Sequence, residues 1–134
     1  MQPDPTAPRG VLGLVTAAAF LTFAQAFMVA PILPQLAHGF HTDAGVIGLA
    51  VPAYLVPYGV MTLLWGPLSD RIGRRPIIVG SLVVFAALTA LTALATSAGM
   101  FILLRVLTGA AASGVVPISL ALIGDLFPFA QRGR

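Results

Sequence analysis

The stretch that decides the fold reads Gly66-Pro67-Leu68-Ser69-Asp70-Arg71-Ile72-Gly73-Arg74-Arg75-Pro76 and separates two long apolar segments. A short polar turn on the cytoplasmic side of a membrane explains the arginines, because positive residues collect there. Such a turn explains neither the aspartate among the arginines nor the glycines that flank the group. The pattern therefore indicates a specific contact as well as a connection between two spans.

Each residue type in this stretch has a physical use. Gly66 lets another backbone approach the end of the preceding span, and Gly73 permits a tight turn. Asp70 is suited to meet a helix N-terminus, whose partial positive charge attracts carboxylates. The arginines, Arg71, Arg74 and Arg75, offer forked donors to carboxylates at the same membrane level. Such a set can hold two helical bodies together and release them, so we interpret it as a conformational latch.

The composition excludes a water-soluble domain. Only 8% of the residues are charged and 58% are hydrophobic, with a mean hydropathy of +0.99, whereas soluble domains carry roughly 25% charged residues. A chain of 134 residues is small, and small domains leave a large fraction of their surface exposed to water. Lipid is therefore the solvent that the composition indicates.

The uncharged stretches on both sides of the motif are long enough to cross a membrane, which takes roughly 20 apolar residues of helix. The fold class we predict is an all-α membrane protein with four transmembrane helices, at about residues 11–36, 45–66, 76–96 and 100–126. The first run is about twice the length of a signal-peptide core, so we expect it to be retained. Residues 1–8 are proline-rich and predicted to be a disordered cytoplasmic tail, and residues 9–134 form the transmembrane domain.

The orientation follows from the positions of the arginines, since the chain has no lysine. Six of the seven positive residues precede the first span, lie in the motif or follow the fourth span. The connections at 38–43 and 97–99 contain none. The positive-inside rule therefore predicts that both termini are cytoplasmic, in a multi-pass protein of the plasma (inner) membrane. The net charge of +3 reflects this topology, and we expect no nucleic-acid partner.

The motif resembles the cytoplasmic signature G-x-L-x-D-R-x-G-R-R/K, which lies between the second and third helices of the major facilitator superfamily. All seven defining positions match, at the place in the topology where that family has them. The resemblance implies that the chain is part of the N-terminal six-helix bundle of such a transporter, ending before a fifth helix. It also implies a secondary transporter that works by alternating access.

Two further stretches carry the resemblance. Pro31-Ile32-Leu33-Pro34, with Gln25 six positions earlier, looks like the first-helix P-x-x-P pattern of the drug–proton antiporter subgroup. Arg105-Val106-Leu107-Thr108-Gly109 resembles the family's fourth-helix R-x-x-Q-G motif, with a threonine in place of the usual amide. By the same resemblance, Asp125 is the carboxylate that Arg74 grips in the latch. The alternative for Asp125 is a solvated carboxylate at a helix end.

Five residues inside the spans are candidates for substrate binding or coupling, namely Gln25, Tyr54, Tyr58, Arg105 and Thr108. An arginine inside a membrane costs about 2.5–3.5 kcal/mol on insertion scales, so we expect Arg105 to face inward and to bind an anionic group or tune a proton site. The alternative is snorkelling to the headgroups. Gln25 either lines a cavity or bonds a neighbouring helix, and the tyrosines either contact substrate or pack.

Several site types are absent from the sequence. His38 and His41 lie in the outer loop with only Asp43 as a third ligand, so a solvated loop is the favoured interpretation and we predict no metal site. Disulfides and thiol chemistry are excluded because there is no cysteine. There is no phosphate-binding glycine loop and no catalytic triad, so we expect neither a cofactor nor an enzyme.

Three functions compete on this sequence. The first is a secondary transporter of a small solute or drug, with the lipid bilayer, a small-molecule substrate and the missing remainder of the transporter as partners, and with the segment inactive alone. The second is a small four-span multidrug exporter that works as a dimer, although Gln25 stands where such exporters need a carboxylate. The third is a non-transporting membrane scaffold, against which the charged motif argues.

Overall fold

The computed structural model describes residues 7–126, without the side chains of 7–9, 11, 12, 123, 125 and 126. Within this range the chain forms α1 (Ala7–Met28), α2 (Leu33–Gly39), α3 (Ala44–Gly48), α4 (Ala50–Ile72), α5 (Arg74–Thr92), α6 (Ala98–Ala112) and α7 (Val116–Leu126), with a 3-10 turn at Ala30–Ile32. These helices group into four segments that are long and apolar enough to cross a membrane. We call them spans one (α1–α2), two (α3–α4), three (α5) and four (α6–α7). The predicted fold class, all-α with four transmembrane spans, is confirmed.

Spans one and four are each broken just before a proline. A proline ring clashes with the carbonyl four residues earlier and removes one hydrogen bond of the helix. The helix α1 ends at Met28 before Pro31, and α6 ends at Ala112 before Pro117. Both spans therefore contain backbone carbonyls that have no partner within their own helix.

Span two extends past the predicted end at residue 66, so most of the latch motif is helical. The helix α4 continues to Ile72 and carries Asp70 and Arg71 on its last turn. Polar residues are tolerated there because a helix of 23 residues is longer than a bilayer core requires. The only non-helical residue between α4 and α5 is Gly73, whose φ of 103° favours glycine. The tight turn predicted at this glycine is confirmed.

Span four forms the centre of the bundle. In span four, 61% of an apolar stretch of 18 residues is buried inside the bundle, whereas the corresponding share is 17–22% in the other three spans. Its helix α6 packs on α4 and α5, and α7 packs on α5 and α1. Because the outward faces of the other spans are apolar, with Phe20 70% and Leu63 77% exposed, they are suited to contact lipid or further helices.

Small residues let span four approach its neighbours closely. A Cβ built on Gly109 would lie 2.9 Å from the carbonyl carbon of Tyr54, and still closer to its oxygen. A Cβ on Gly114 would lie 3.1 Å from the Cβ of Ser81 and 3.4 Å from the Trp65 ring. Close packing at glycine is typical of membrane helices, whose association depends on van der Waals contact.

Candidate functional site

Arg105 is the centre of the candidate site. It lies on α6 and is fully buried, with 0% of its surface exposed. The end of α1 and the first turn of α4 lie against it, because its side chain bonds residues of both helices. The guanidinium therefore faces the interior of the bundle and does not snorkel to the headgroups.

The guanidinium uses four of its five N–H donors on oxygens of spans one and two. Nε donates to the Ala50 carbonyl at 3.3 Å, and Nη2 donates to the Ala26 carbonyl at 3.3 Å. Nη1 donates to the Gln25 carbonyl at 3.2 Å and also to the side-chain oxygen of Gln25. Arg105 thus connects three spans at one point.

Two of these acceptors are the carbonyls that the break in span one leaves unpaired. Gln25 and Ala26 belong to the last turn of α1, whose carbonyls have no partner within the helix. A helix C-terminus also carries a partial negative charge, which favours a cation. Arg105 therefore caps α1 from a neighbouring span, and its charge is balanced by carbonyl dipoles. No carboxylate with a described side chain contacts it.

Tyr54 completes the surroundings of Arg105. The Cζ atom of Arg105 lies 4.4 Å from the centre of the Tyr54 ring, within the range of a cation–π contact. The Tyr54 hydroxyl donates to the Thr22 carbonyl at 3.3 Å, and only 1% of the residue is exposed. Tyr58 stacks on Tyr54, with the ring centres 6.2 Å apart, and is half-buried. The structure thus gives Tyr54 a packing role and leaves part of Tyr58 exposed.

Thr108 is buried but does not bond Arg105. Its hydroxyl donates to the Leu104 carbonyl at 2.6 Å, within α6. The spacing of three residues places the side chains of Thr108 and Arg105 on one helix face, yet the Thr108 hydroxyl is already used by its own helix.

A cavity of about 220 Å³ opens beside Arg105, between spans one, three and four. Gln25 and Arg105 line it, as do Thr89 and Thr92 from span three. Met28 and Phe101 supply apolar wall. The sequence left two alternatives for Gln25, lining a cavity or bonding a neighbouring helix, and in the structure the side chain does both.

The latch residues lie at the other end of the bundle, around Gly73. Asp70 Oδ1 and Arg74 Nη2 are 3.6 Å apart, with 67% and 26% of the two side chains exposed. An exposed pair of this kind contributes about 0–1 kcal/mol. Arg71 and Arg75 are exposed. The predicted partner of Arg74, Asp125, has its backbone in α7, but its side chain lies outside the described part, so that pairing stays a prediction.

Gly66 does not make the predicted close approach to any residue described. No atom lies within 4 Å of a Cβ built there. Its carbonyl accepts a hydrogen bond from the Ser69 hydroxyl at 2.8 Å, within α4. A backbone that approaches Gly66 would have to come from outside residues 7–126.

The outer loop holds an open space of about 340 Å³ lined by His38, His41 and Asp43. Asp43 has a structural role, since its carboxylate accepts the Gly45 N–H at 2.6 Å and caps α3. Among the described residues there is no group of three ligands that could hold a metal ion.

Two features of the site were not found from the sequence. Trp65 on α4 donates to the Ser113 hydroxyl at 2.9 Å and to the Ala110 carbonyl at 3.4 Å, so it caps the broken end of α6 much as Arg105 caps α1. Thr89 lies in the cavity wall. The signal for Trp65 was available, because a lone tryptophan in a span usually seeks a partner for its N–H. A threonine in an apolar run carries no such signal.

Comparison with known proteins places these features in a family. The family model described as Major Facilitator Superfamily matches residues 15–134. An uncharacterized MFS-type transporter of Bacillus subtilis, YwfA, is 32% identical over 90% of this chain, which covers 29% of that protein. A chloramphenicol resistance protein of Pseudomonas aeruginosa is 36% identical over 75% of this chain and 24% of its own length.

A third relative is named as an antiporter. The MFS antiporter QDR2 of Candida albicans is 33% identical over 77% of this chain, and 20% of the antiporter is covered. The chain thus spans less than a third of the length of each of these relatives. No solved structure matches it.

Proposed function

Since this chain belongs to the major facilitator superfamily, we propose that it is the N-terminal part of a secondary active transporter that moves a small solute or drug by alternating access. The names of two relatives, a chloramphenicol resistance protein and an antiporter, support a small organic solute and efflux. We do not expect enzyme activity, since transport needs no covalent chemistry on the solute.

The observation that carries the proposal is the connection that Arg105 makes between two discontinuous spans. Transporter sites are typically formed near the bilayer midplane by broken helices, whose free ends bind polar groups. Arg105 occupies the free end of α1 and contacts the first turn of α4. A change at this point would alter spans one, two and four together, as a rocking mechanism requires.

The remainder of the transporter is the partner that the proposal requires. Alternating access rocks two bodies about a site between them, and these four spans supply less than one body. Gly66, which no described atom approaches, and Asp70, which is largely exposed, are available to such a partner. We therefore assign the latch around Gly73 to one conformation of the complete transporter, with the bilayer and the solute as its other partners.

The two competing functions make different demands. A four-span dimeric exporter requires a titratable carboxylate in span one, where the chain has Gln25 with its oxygen turned to Arg105. A membrane scaffold does not require a buried cation whose hydrogen bonds join three spans. Both features favour the transporter.

The topology is tested with reporter fusions. We expect reporters placed after Asp43 and after Gly99 to give the signal of the outer side, because these two connections contain no arginine. Reporters placed before Arg9 and within the turn at Gly73 serve as the opposite controls and should report the cytoplasm. A cytoplasmic signal after either Asp43 or Gly99 contradicts the proposed orientation of the termini.

Transport itself is tested in liposomes. The 134-residue chain alone should give no saturable flux of solute above empty vesicles, because the body that closes the site is lacking. The chain joined to the rest of the transporter should give flux, and Asp70→Asn should lower that flux at unchanged membrane insertion, by shifting the balance between conformations. Saturable flux through the chain alone, abolished by Arg105→Ala, would favour the dimeric exporter instead.

A further inference from the structure

The cavity beside Arg105 presents hydrogen-bond donors that have no acceptor among the described residues. Gln25 shows this first. A guanidinium can only donate, so the side-chain atom of Gln25 that meets Arg105 is the oxygen. The amide nitrogen, with two N–H donors, is therefore directed away from Arg105. Neither N–H has an acceptor among the described residues. Because Gln25 lines the cavity, these donors are available to a molecule inside it.

Thr89 supplies a second free hydroxyl. Helical threonines commonly donate to the carbonyl four residues earlier, and four buried or half-buried threonines here do so: Thr22, Thr62, Thr92 and Thr108. The Thr89 hydroxyl is buried and has no partner among the described residues. Leaving a buried polar group unpaired is unfavourable, because the group has lost its hydrogen bonds to water. A ligand that accepts its hydrogen bond would remove that cost.

The charge of Arg105 is not available to an ionic ligand. Four of its N–H donors are bound to protein oxygens, the Tyr54 ring covers the guanidinium, and none of its surface is exposed. A carboxylate or phosphate would have to displace the Gln25 oxygen and uncap α1. The cavity wall carries no other charged side chain. A neutral oxygen acceptor suits such a site better than an ion does.

The size of the cavity limits what enters it. Ligand pockets usually measure roughly 300–1,000 Å³, and this one measures about 220 Å³. It therefore accommodates one end of a solute, such as a ring with its substituent. Phe101 and Met28 offer apolar and aromatic contact for that end.

We propose that this cavity binds the acceptor-bearing end of a neutral, partly aromatic solute, whose carbonyl-type oxygen receives hydrogen bonds from the Gln25 amide nitrogen and the Thr89 hydroxyl. As the substrate class of the transporter, this inference rests on the proposed function. As a binding event it is measured without transport. Arg105 acts in it as a positioning residue, because it fixes which face of the Gln25 amide meets the ligand.

The test uses two probes of nearly the same shape on the 134-residue chain in lipid nanodiscs. para-Fluoroacetophenone has a carbonyl oxygen, and para-fluoro-α-methylstyrene has a methylene group in its place. Binding is followed by fluorine NMR, with partition into empty nanodiscs subtracted. We expect saturable binding of the ketone, and binding of the alkene that is about tenfold weaker, as the loss of hydrogen bonds predicts.

Three variants separate the hydrogen bonds from general packing. Gln25→Glu retains an oxygen for Arg105 and removes the N–H donors, so ketone binding should weaken about tenfold. Thr89→Val should weaken ketone binding by roughly fivefold while the empty protein becomes no less stable, because an unpaired hydroxyl is removed. Thr62→Val is the matched control, since Thr62 does not line the cavity and its hydroxyl already donates to the Tyr58 carbonyl within α4, and ketone affinity should not change.

Several results would overturn the inference. Equal affinities for ketone and alkene would contradict the proposed hydrogen bonds to the ligand. Unchanged ketone binding in both Gln25→Glu and Thr89→Val would contradict them as well. Tighter binding of para-fluorobenzoate than of the ketone would assign the cavity to anions. The proposed function fails separately. If a complete transporter binds the ketone as described but gives no flux, the binding inference holds and the proposed transport function is wrong. If the complete transporter gives flux but the ketone does not bind in this cavity, the transport function holds and the binding inference is wrong.

Discussion

Replacing Arg105 with methionine is expected to lower the free energy of unfolding by about 2–3 kcal/mol. The variant removes four hydrogen bonds to spans one and two, and interhelical hydrogen bonds in membranes contribute about 0.6 kcal/mol each on average. It also leaves the end of α1 without its cap. Unfolding in lipid bicelles, followed by loss of helix packing, measures the change. Methionine is the chosen replacement because it keeps much of the side-chain length and removes charge and donors alone.

Arg75→Met is the matched control for this experiment. Arg75 is exposed near the start of α5, so the same chemical change there should alter stability by less than about 0.5 kcal/mol. Arg105→Lys tests geometry separately from charge. A single ammonium cannot reach the carbonyls of Gln25, Ala26 and Ala50 as the fork does. We therefore expect lysine to permit insertion but to lose most of the transport of the complete protein. An Arg105→Met variant as stable as the parent would contradict the role of Arg105 as a helix cap.

The second large effect is expected from Gly109→Ala, which should destabilise the bundle by about 3 kcal/mol, the upper end of the usual cost of overpacking. The added Cβ would meet the backbone of Tyr54, with 2.9 Å to its carbonyl carbon. A backbone cannot turn away as a flexible side chain can, so α4 and α6 must separate. Their separation would also move Ala50 and Tyr54 away from Arg105. The same bicelle unfolding assay measures this loss.

Gly59→Ala is the control for Gly109→Ala. Gly59 lies on α4 like Tyr54, and among the described residues no atom beyond the neighbouring helix backbone lies within 4 Å of a Cβ built there. Alanine favours a helix over glycine by up to about 1 kcal/mol, so this variant should be neutral or slightly stabilised. The two substitutions therefore have opposite expected signs for the same chemical change. If both behave alike, the close contact between spans two and four is not a determinant of stability.

The sequence alone was sufficient for the parts of the protein that depend on local physics. The length of the apolar runs and the near absence of charge predicted four spans, because a bilayer requires about 20 apolar residues for each crossing. The tight turn at Gly73 also followed from the sequence, since a φ of 103° is accessible chiefly to glycine. The motif around Asp70 identified the family, because its residue types and spacing are specific.

Tertiary structure was needed wherever two spans meet. The prolines near the breaks in spans one and four do not tell which side chain satisfies the freed carbonyls. That Arg105 caps α1 depends on the rotation of span four against span one, which no local pattern encodes. The same holds for Thr89, which lines a cavity that exists only when spans one, three and four are packed together. The sequence by itself determined how often the chain crosses the membrane and where it turns. Only the packing of the spans decided what Arg105, Tyr54 and Trp65 bind, because each of these side chains finds its partner on a different helix.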